Sequence, residues 1–289
     1  MNFDFALLLT VLTLLTGVVW LIDALLFARK RREAARAVEG EEAQATALRP
    51  TAVVEYSKSF FPVLLIVLVF RSFVFEPFRI PSGSMLPNLL IGDFIVVNKF
   101  AYGLRLPVLN TKILAVGEPE RGDVVVFRKP AQPGLPNDPQ AGTTFVKRLV
   151  GVPGDRVRYE RHQLYINDQP VPYTPIGNGK YVADASNARD PNGRPVAGEL
   201  LFREDLPGKP HSILQTANPY PELQMLNALT LGPGEYFMLG DNRDNSADGR
   251  AFGVVREADL VGKVTYIWFH FDSARDGFVA WRRIGKRVE

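Results

Sequence analysis

Two serines separated by one glycine, Ser82 and Ser84, stand between Pro81 and Pro87 in the stretch RIPSGSMLPN (79–88). Either this is an ordinary loop, for which Ser, Gly and Pro are common residues, or one hydroxyl is a nucleophile held in a stiff turn. A serine nucleophile needs a base. None of the three histidines, His162, His211 and His270, sits in a suggestive setting, so a Ser-His-Asp triad is not expected. G-x-S-x-G fails because positions 82 and 86 are Ser and Leu, and S-x-x-K fails at Ser84 because residue 87 is Pro. A desolvated lysine is the known substitute.

Lys147 is the lysine to consider. In TFVKRLVGVPGD (144–155), the two-residue period of a strand puts Phe145, Lys147 and Leu149 on one face and Val146, Arg148 and Val150 on the other. A sheet packed on both sides would desolvate Lys147 and lower its pKa from the ordinary ~10.4. Bringing it near neutrality costs about 4 kcal/mol of ammonium stabilisation. The other reading is a lysine at a sheet edge that reaches solvent. A third group is GDNRDNSADGR (240–250), dense in Asp, Asn and Arg. Asp244, Ser246, Asp248 and Gly249 match the first half of an EF-hand loop, but its twelfth position is Val255 and no flanking helices are evident, so calcium is rejected. The segment is either a polar turn tied by side-chain bonds or a rigid brace for a neighbouring site through Ser246 and its charges.

The elements that would position these groups follow from composition. The chain has 289 residues, 46% of them hydrophobic, enough for a sizeable core. A net charge of +3 does not argue for nucleic acid. The absence of cysteine excludes disulfides, thiolate catalysis and cysteine-ligated metal, and the sparse histidines argue against zinc; no metal or cofactor is expected. Phe5 to Phe27 is long and apolar enough to cross a ~30 Å bilayer. It does not read as a cleavable leader, because MNFD before it carries no Lys or Arg and RKRR (29–32) follows it. The positive-inside rule puts the N-terminus outside and Arg29–Arg32 in the cytoplasm. Asp23, a turn from the end of the run, is expected at the interface or on Arg29, in preference to a proton relay.

The expected organisation is a first transmembrane helix over 1–28, a mixed-charge cytoplasmic loop over 29–58, and a second transmembrane helix over 59–76. In that second run Pro62 is tolerated in the first turns and Arg71 reaches the interface. By length alone, Ser59–Phe70 would suit something shorter than a span. From Pro77 the pattern becomes β: 94–100, 123–128, 145–150, 156–160, 163–167, 235–239 and 264–271 are short β-branched and aromatic runs between Gly, Pro, Asn and Asp. The fold class is therefore mainly β, an antiparallel core over 77–160 and 233–289. The Pro/Gly-rich 129–144 reads as irregular, and 161–232 as an inserted β-ribbon subdomain.

Four ordered blocks, RSFVFEPFRIPSGSMLP (71–87), IGDFIVVNKFAYGLRLP (91–107), FVKRLVGVPGD (145–155) and GDNRDNSADGR (240–250), resemble type I signal peptidase, the bacterial leader peptidase, a serine/lysine membrane endopeptidase family. The resemblance covers the two-span N-terminus and the β core; the cytoplasmic loop and 161–232 match weakly. It implies that Ser84 is the nucleophile and Lys147 its general base. Ser82 would lend its hydroxyl to the oxyanion hole beside the Ser84 N–H, and Ser246 would hydrogen-bond and orient the lysine. Asp241, Arg148, Asp248 and Arg250 match structural ion-pair positions. Ile80, Met85, Leu89, Phe145 and Val146 would line shallow apolar pockets for the residues one and three before the cut, favouring Ala-x-Ala. The family often has Ser at Gly249 and Thr at Asn88, which touches only local turn detail. The glycine between the serines, Gly83, is expected in a backbone shape that other residues resist.

The partners implied are preprotein signal peptides, the lipid bilayer and the secretion translocon, with no nucleic acid. The site implied is the cytoplasmic (inner) membrane, with the catalytic domain on its outer, periplasmic face. Apolar residues near Phe73, Phe75, Phe78, Trp268 and Trp281 would then dip into lipid; ordinary core packing is the alternative for the two tryptophans. Two rival functions are a catalytically dead, tethered β-domain that binds secretion partners, and a self-cleaving serine/lysine peptidase of repressor type. The intact Ser84 and Lys147 speak against the first, and two spans do not suit the second.

Overall fold

The computed structural model describes residues 5–73, 75–105, 112–180, 199–216, 225–273 and 278–288. The chain divides into a helical unit, which ends at Val74, and a β unit, which starts at Phe75.

In the helical unit, α1 (Phe5–Ile22) continues through one π-helical turn (Asp23–Phe27) into α2 (Ala28–Arg36). After α3 (Glu41–Leu48), α4 (Ala52–Phe73) runs back against α1. Two stretches, Leu7–Arg36 and Ala52–Val69, are long and apolar enough to cross a membrane. Leu14, Leu25 and Ile66 face outward, as an apolar solvent would permit. Gly17 is the point of closest approach: a Cβ there would meet the Phe61 ring at 2.6 Å. Thr13 and Thr16 return their hydroxyls to the carbonyls of Leu9 and Leu12. Three expectations are corrected. The second helix begins at Ala52, not 59, because the moderately polar turn AVVEYSK before the apolar run is itself helix-compatible. It ends at Phe73, and 75–76 already belong to a strand. Asp23 pairs with Arg31 through both oxygens (2.5 and 2.6 Å), whereas Arg29 takes Glu33.

The β unit is built on a seven-stranded antiparallel sheet ordered β1-β2-β16-β5-β6-β14-β15. Its strands are β1 (Phe75–Arg79), β2 (Asp93–Asn98), β5 (Val124–Arg128), β6 (Thr144–Gly151), β14 (Glu235–Leu239), β15 (Val255–Arg256) and β16 (Leu260–His270). Between them, β3 (Leu104–Arg105) and β4 (Lys112–Leu114) flank residues 106–111. A second sheet, ordered β13-β7-β8-β9, uses β7 (Arg156–Glu160), β8 (Gln163–Ile166), β9 (Gln169–Pro170) and β13 (Met225–Thr230). A third joins β10 (Tyr173–Lys180), β11 (Glu199–Glu204) and β12 (His211–Thr216). Pro77 in β1 is tolerated because β1 is an edge strand. The β8–β9 hairpin turns on Asn167 and Asp168, both left-handed (φ 54° and 63°), the geometry a two-residue hairpin loop demands.

Alternation decides what each strand buries. In β2, Asp93, Ile95 and Val97 point inward while Phe94, Val96 and Asn98 are only half-covered. Ile95 and Val97 pack with Ile80, Met85, Leu89, Val124, Val126, Val264 and Ile267. A second core, with Val150, Tyr159, Leu164, Phe237 and Leu239, lies between the large sheet and the β7–β8 ribbon. Residues 129–143 are irregular, as their composition predicts, yet anchored by a buried Lys129–Asp138 ion pair. The described parts of 161–232 are ribbon-like but not detached. Leu206 lies in the second core, and Leu214 packs on Leu86 and Leu90. Glu204 is fully buried against Arg243 at 2.5 Å.

Candidate active site

The turn after β1 is pinned at both ends. Ile80 exchanges backbone bonds with Asp93 and Gly92 (2.8 and 2.9 Å), and a 3-10 turn over Gly83–Met85 then lifts Ser84 out of the chain path. The 240–250 loop grips that turn from the other side. Asn242 donates its backbone N–H to the Ser84 carbonyl and its amide to the Gly83 carbonyl, each at 3.1 Å. Asn242 is itself held by a bridge to Leu214 on β12.

Lys147 comes from β6, paired opposite Val125 of β5. Its Nζ lies 2.6 Å from Ser84 Oγ. The lysine is only 4% exposed, and burial lowers its pKa from 10.5 to about 8. The buried carboxylates of Asp248 and Asp241 oppose that fall, and Arg250 adds to it. A solvent-reaching edge lysine is therefore not what the fold makes. Ser82 Oγ sits 3.4 Å from Ser84 Oγ.

A cavity of about 200 Å³ opens beside the pair, lined by Phe78, Ile80, Ser82, Ser84, Met85, Phe145, Val146 and Lys147 among others. Along it, β6 has an edge with no strand partner among the described residues. Residues 144–148 pair with β5 on one side, whereas β14 pairs on the other side only from Arg148 onward.

A serine hydroxyl at hydrogen-bond distance from a desolvated lysine, beside an apolar slot along a strand edge, is an arrangement that could serve peptide-bond hydrolysis. The family described as "Signal peptidase, peptidase S26" matches residues 53–269 of the chain. The chain belongs to the signal peptidase family, peptidase S26. It is 40% identical over 303 residues to a signal peptidase I of Pseudomonas aeruginosa, covering 99% of each chain. It is also 40% identical to that of Pseudomonas fluorescens, over 93% of each. A solved signal peptidase I from Enterococcus faecalis, 27% identical, is covered over 100% of its length and 52% of this chain, with a TM-score of 0.30. With its two membrane-length helices, this family member is a membrane-anchored peptidase.

The charged residues that the resemblance marks form two buried pairs around Ser84 and Lys147. Arg148 grips Asp241 through two bonds of 2.8 Å, and Arg250 grips Asp248, whose other bond comes from the Gly240 N–H at 3.0 Å. Burial pushes both carboxyls up, but the arginines overcome it and hold them below the ordinary Asp value. Both thus stay anionic, each neutralised by its own cation.

Three site expectations are corrected. Leu89 is fully buried in the core beneath Ile80 and Met85 and is not among the cavity walls, because the turn after Pro87 carries it inward. Ser246 is buried beside Ser84 but makes no bond to Lys147: its Oγ has no hydrogen-bond partner among the described residues. Gly83 has no left-handed φ; what favours glycine is Leu86, whose Cδ1 would lie 3.0 Å from a Cβ.

Several supporting residues escape a sequence reading. Asn88, expected to touch only local turn detail, instead donates to both Asp241 and the Ser212 carbonyl at 2.7 Å. His211 is buried close to Glu204 and Asp241, and burial, with Arg148 nearby, lowers its pKa to about 4. Asn242 at least stood within a marked block; Glu204 and His211 had no local signal, because their partners are remote in sequence.

Proposed function

We propose that this chain cleaves N-terminal signal peptides from translocated preproteins at the membrane surface, with Ser84 as nucleophile and Lys147 as general base. The contact between Lys147 Nζ and Ser84 Oγ, with the lysine desolvated, carries this reading. A neutral Nζ accepts the Ser84 hydroxyl proton as Oγ attacks the scissile carbonyl. The Ser84 N–H and the Ser82 hydroxyl would receive the developing oxyanion; one such donor is typically worth ~3–4 kcal/mol at the barrier. The ammonium of Lys147 then protonates the leaving amine, which departs with the mature chain. Water, deprotonated by the same lysine, hydrolyses the acyl-enzyme on Ser84. No step calls for a metal or an organic cofactor.

The open edge of β6 suits an extended peptide, which would add to the sheet through its main chain. In an extended chain, the residues one and three before the cut point the same way. Facing Ile80, Met85, Phe145 and Val146 in a cavity of about 200 Å³, they are restricted to small side chains, hence Ala-x-Ala. In our reading, RKRR after the first span holds residues 29 to about 58 in the cytoplasm and puts the β unit on the outer, periplasmic face of the inner membrane. There it would meet preproteins at the translocon. Trp268 and Trp281 are 46% and 74% exposed, which favours contact with lipid over core packing. The side chains of Phe73 and Phe75 lie outside the described residues.

The test is cleavage of a purified preprotein by the purified chain in detergent. A single cut after an Ala-x-Ala site, absent with a folded Ser84→Ala variant, is expected. Equal cleavage by the variant would remove Ser84 from the chemistry.

A further inference from the structure

A second, differently built groove shares no lining residue with the Ser84–Lys147 cavity. One cavity of about 500 Å³ is walled by Asn88, Arg203, His211, Ser212, Lys286 and Arg287. An adjoining one of about 340 Å³ adds Lys209, Lys263 and Asp123 and shares Pro210, Arg287 and Val288 with the first. Five permanent cations thus line the two cavities with one carboxylate, Asp123, and a second, Glu120, reaches Lys209 from outside at 3.3 Å, in a chain whose net charge is only +3. Asp123 is already engaged. It takes Lys263 at 2.8 Å and Lys209 closer still, and it accepts the Tyr102 hydroxyl at 3.0 Å. Among the described residues Arg203 pairs only with the exposed Asp205. Lys286 and Arg287 make no ion pair among the described residues.

The backbone that presents them is fixed. Ile267 donates to the Lys286 carbonyl at 2.9 Å, Val288 donates to the Thr265 carbonyl at 2.9 Å, and Arg287 bridges Tyr266. Lys286 and Arg287, like charges held side by side with no counter-charge among the described residues, repel one another, so the arrangement is relieved by a bound anion. Two guanidinium groups favour an oxyanion with several acceptor oxygens, as a phosphate has. The same β16 and C-terminal segment exposes Tyr266, Trp268, Trp281 and Ile284, the amphipathic and apolar residues found at membrane–water interfaces.

We propose that the groove formed by Arg203, Lys286 and Arg287, with Lys209 and Lys263 alongside, is a phosphate-binding site that seats the phosphate of an anionic lipid headgroup or of a free phosphate ester. It is separate from the Ser84–Lys147 cavity and shares no lining residue with it.

The test uses the full chain in a neutral maltoside detergent. Native mass spectrometry reads retention of phosphatidylglycerol, phosphatidylcholine, glycerol 1-phosphate and inorganic phosphate by the wild type and by a Lys286→Gln/Arg287→Gln double variant. Both substituted residues are exposed and outside the catalytic site, so preprotein cleavage in detergent should be unchanged; this separates a failure of the groove from a failure of the proposed activity. Binding should weaken about fivefold for each cation removed, roughly twenty-five-fold in the double variant, and weaken in both forms as salt rises. Variant-dependent retention of phosphatidylglycerol alone assigns the site to a lipid headgroup. Variant-dependent binding of glycerol 1-phosphate or inorganic phosphate assigns it to a soluble ester or ion. Equal retention of phosphatidylglycerol by both forms, with no binding of either soluble phosphate, would overturn the proposal.

Discussion

Gly240 is the point where the 240–250 loop touches the nucleophile turn, and a single methyl group there should disable the site. A Cβ at residue 240 would lie 2.1 Å from Ser246 Oγ, 2.5 Å from Ser246 Cβ and 2.7 Å from the Ser84 carbonyl oxygen. The Ser246 hydroxyl could rotate away, but its Cβ and the Ser84 carbonyl are held by backbone. Restoring ordinary contact of ~3.4 Å from 2.7 Å moves the Ser84 carbonyl by about 0.7 Å, against its bond from the Asn242 N–H. A misplacement approaching 1 Å at the reacting atoms costs on the order of 100-fold in rate. Gly240→Ala is therefore expected to lose about two orders of magnitude in kcat/KM on a signal-peptide substrate. Gly240 has no left-handed φ, so backbone strain is not part of the effect. Gly232→Ala is the control: its Cβ would meet only the end of the Glu235 side chain, at 3.2 Å, and activity should be near wild type. Thermal melts of both variants separate loss of geometry from loss of fold. A folded Gly240→Ala protein within threefold of wild-type kcat/KM would refute the proposed contact.

Because Lys147 must be neutral to act, and burial sets its pKa at about 8, kcat/KM should rise about tenfold per pH unit below 8 and level off above it; a flat profile from pH 6 to 9 would count against the lysine. Lys147 binds its proton less readily in the folded chain than at its ordinary 10.5, so the unfolded state carries more protons between about 8 and 10.5 and stability rises with pH across that window. Lys147→Met should accordingly raise the unfolding free energy at pH 7, read by urea denaturation, by on the order of 3 kcal/mol, and this gain should vanish towards pH 10.5. Glu204→Gln leaves Arg243 buried without its counter-charge and should cost about 3–5 kcal/mol of stability, read by urea denaturation. In a peptide series, replacing the Ala before the cut with Leu or Phe should abolish cleavage while Gly or Ser only slows it; efficient cutting after Leu would mean a deep pocket.

Strands whose alternation is strong and whose ends carry turn residues were legible in the sequence: β5, β6, β7, β8, β14 and β16 fall within a few residues of their patterned runs. The strand β1 was hidden because FEPFR continues an apolar helix without a break and contains a proline, which only its edge position tolerates. The ribbons of 161–232 were only weakly patterned, since much of β10 and β13 is not buried deeply enough to enforce alternation. At the site, Ser84 and Lys147 came from four ordered blocks and not from local chemistry, which left each of them ambiguous. The same blocks marked Arg148, Asp241, Asp248 and Arg250 as ion-pair positions, but which pairs with which is seen only in the fold. The turn that buries Leu89 and the bond that Ser246 does not make are three-dimensional facts with no counterpart in spacing. Glu204, His211 and Asn88 reach the site across long sequence separations, where a single chain carries no pairing signal.

The pairing of Ser84 with Lys147 as nucleophile and base is tested most directly by kcat/KM of a folded Lys147→Ala variant at pH 8, on a preprotein with an Ala-x-Ala site. The wild-type contact of 2.6 Å is then absent and no other titratable group is within hydrogen-bond reach of Ser84 Oγ among the described residues. A loss on the order of 10³-fold or more is predicted. Activity within tenfold of wild type would show that the lysine is not the base.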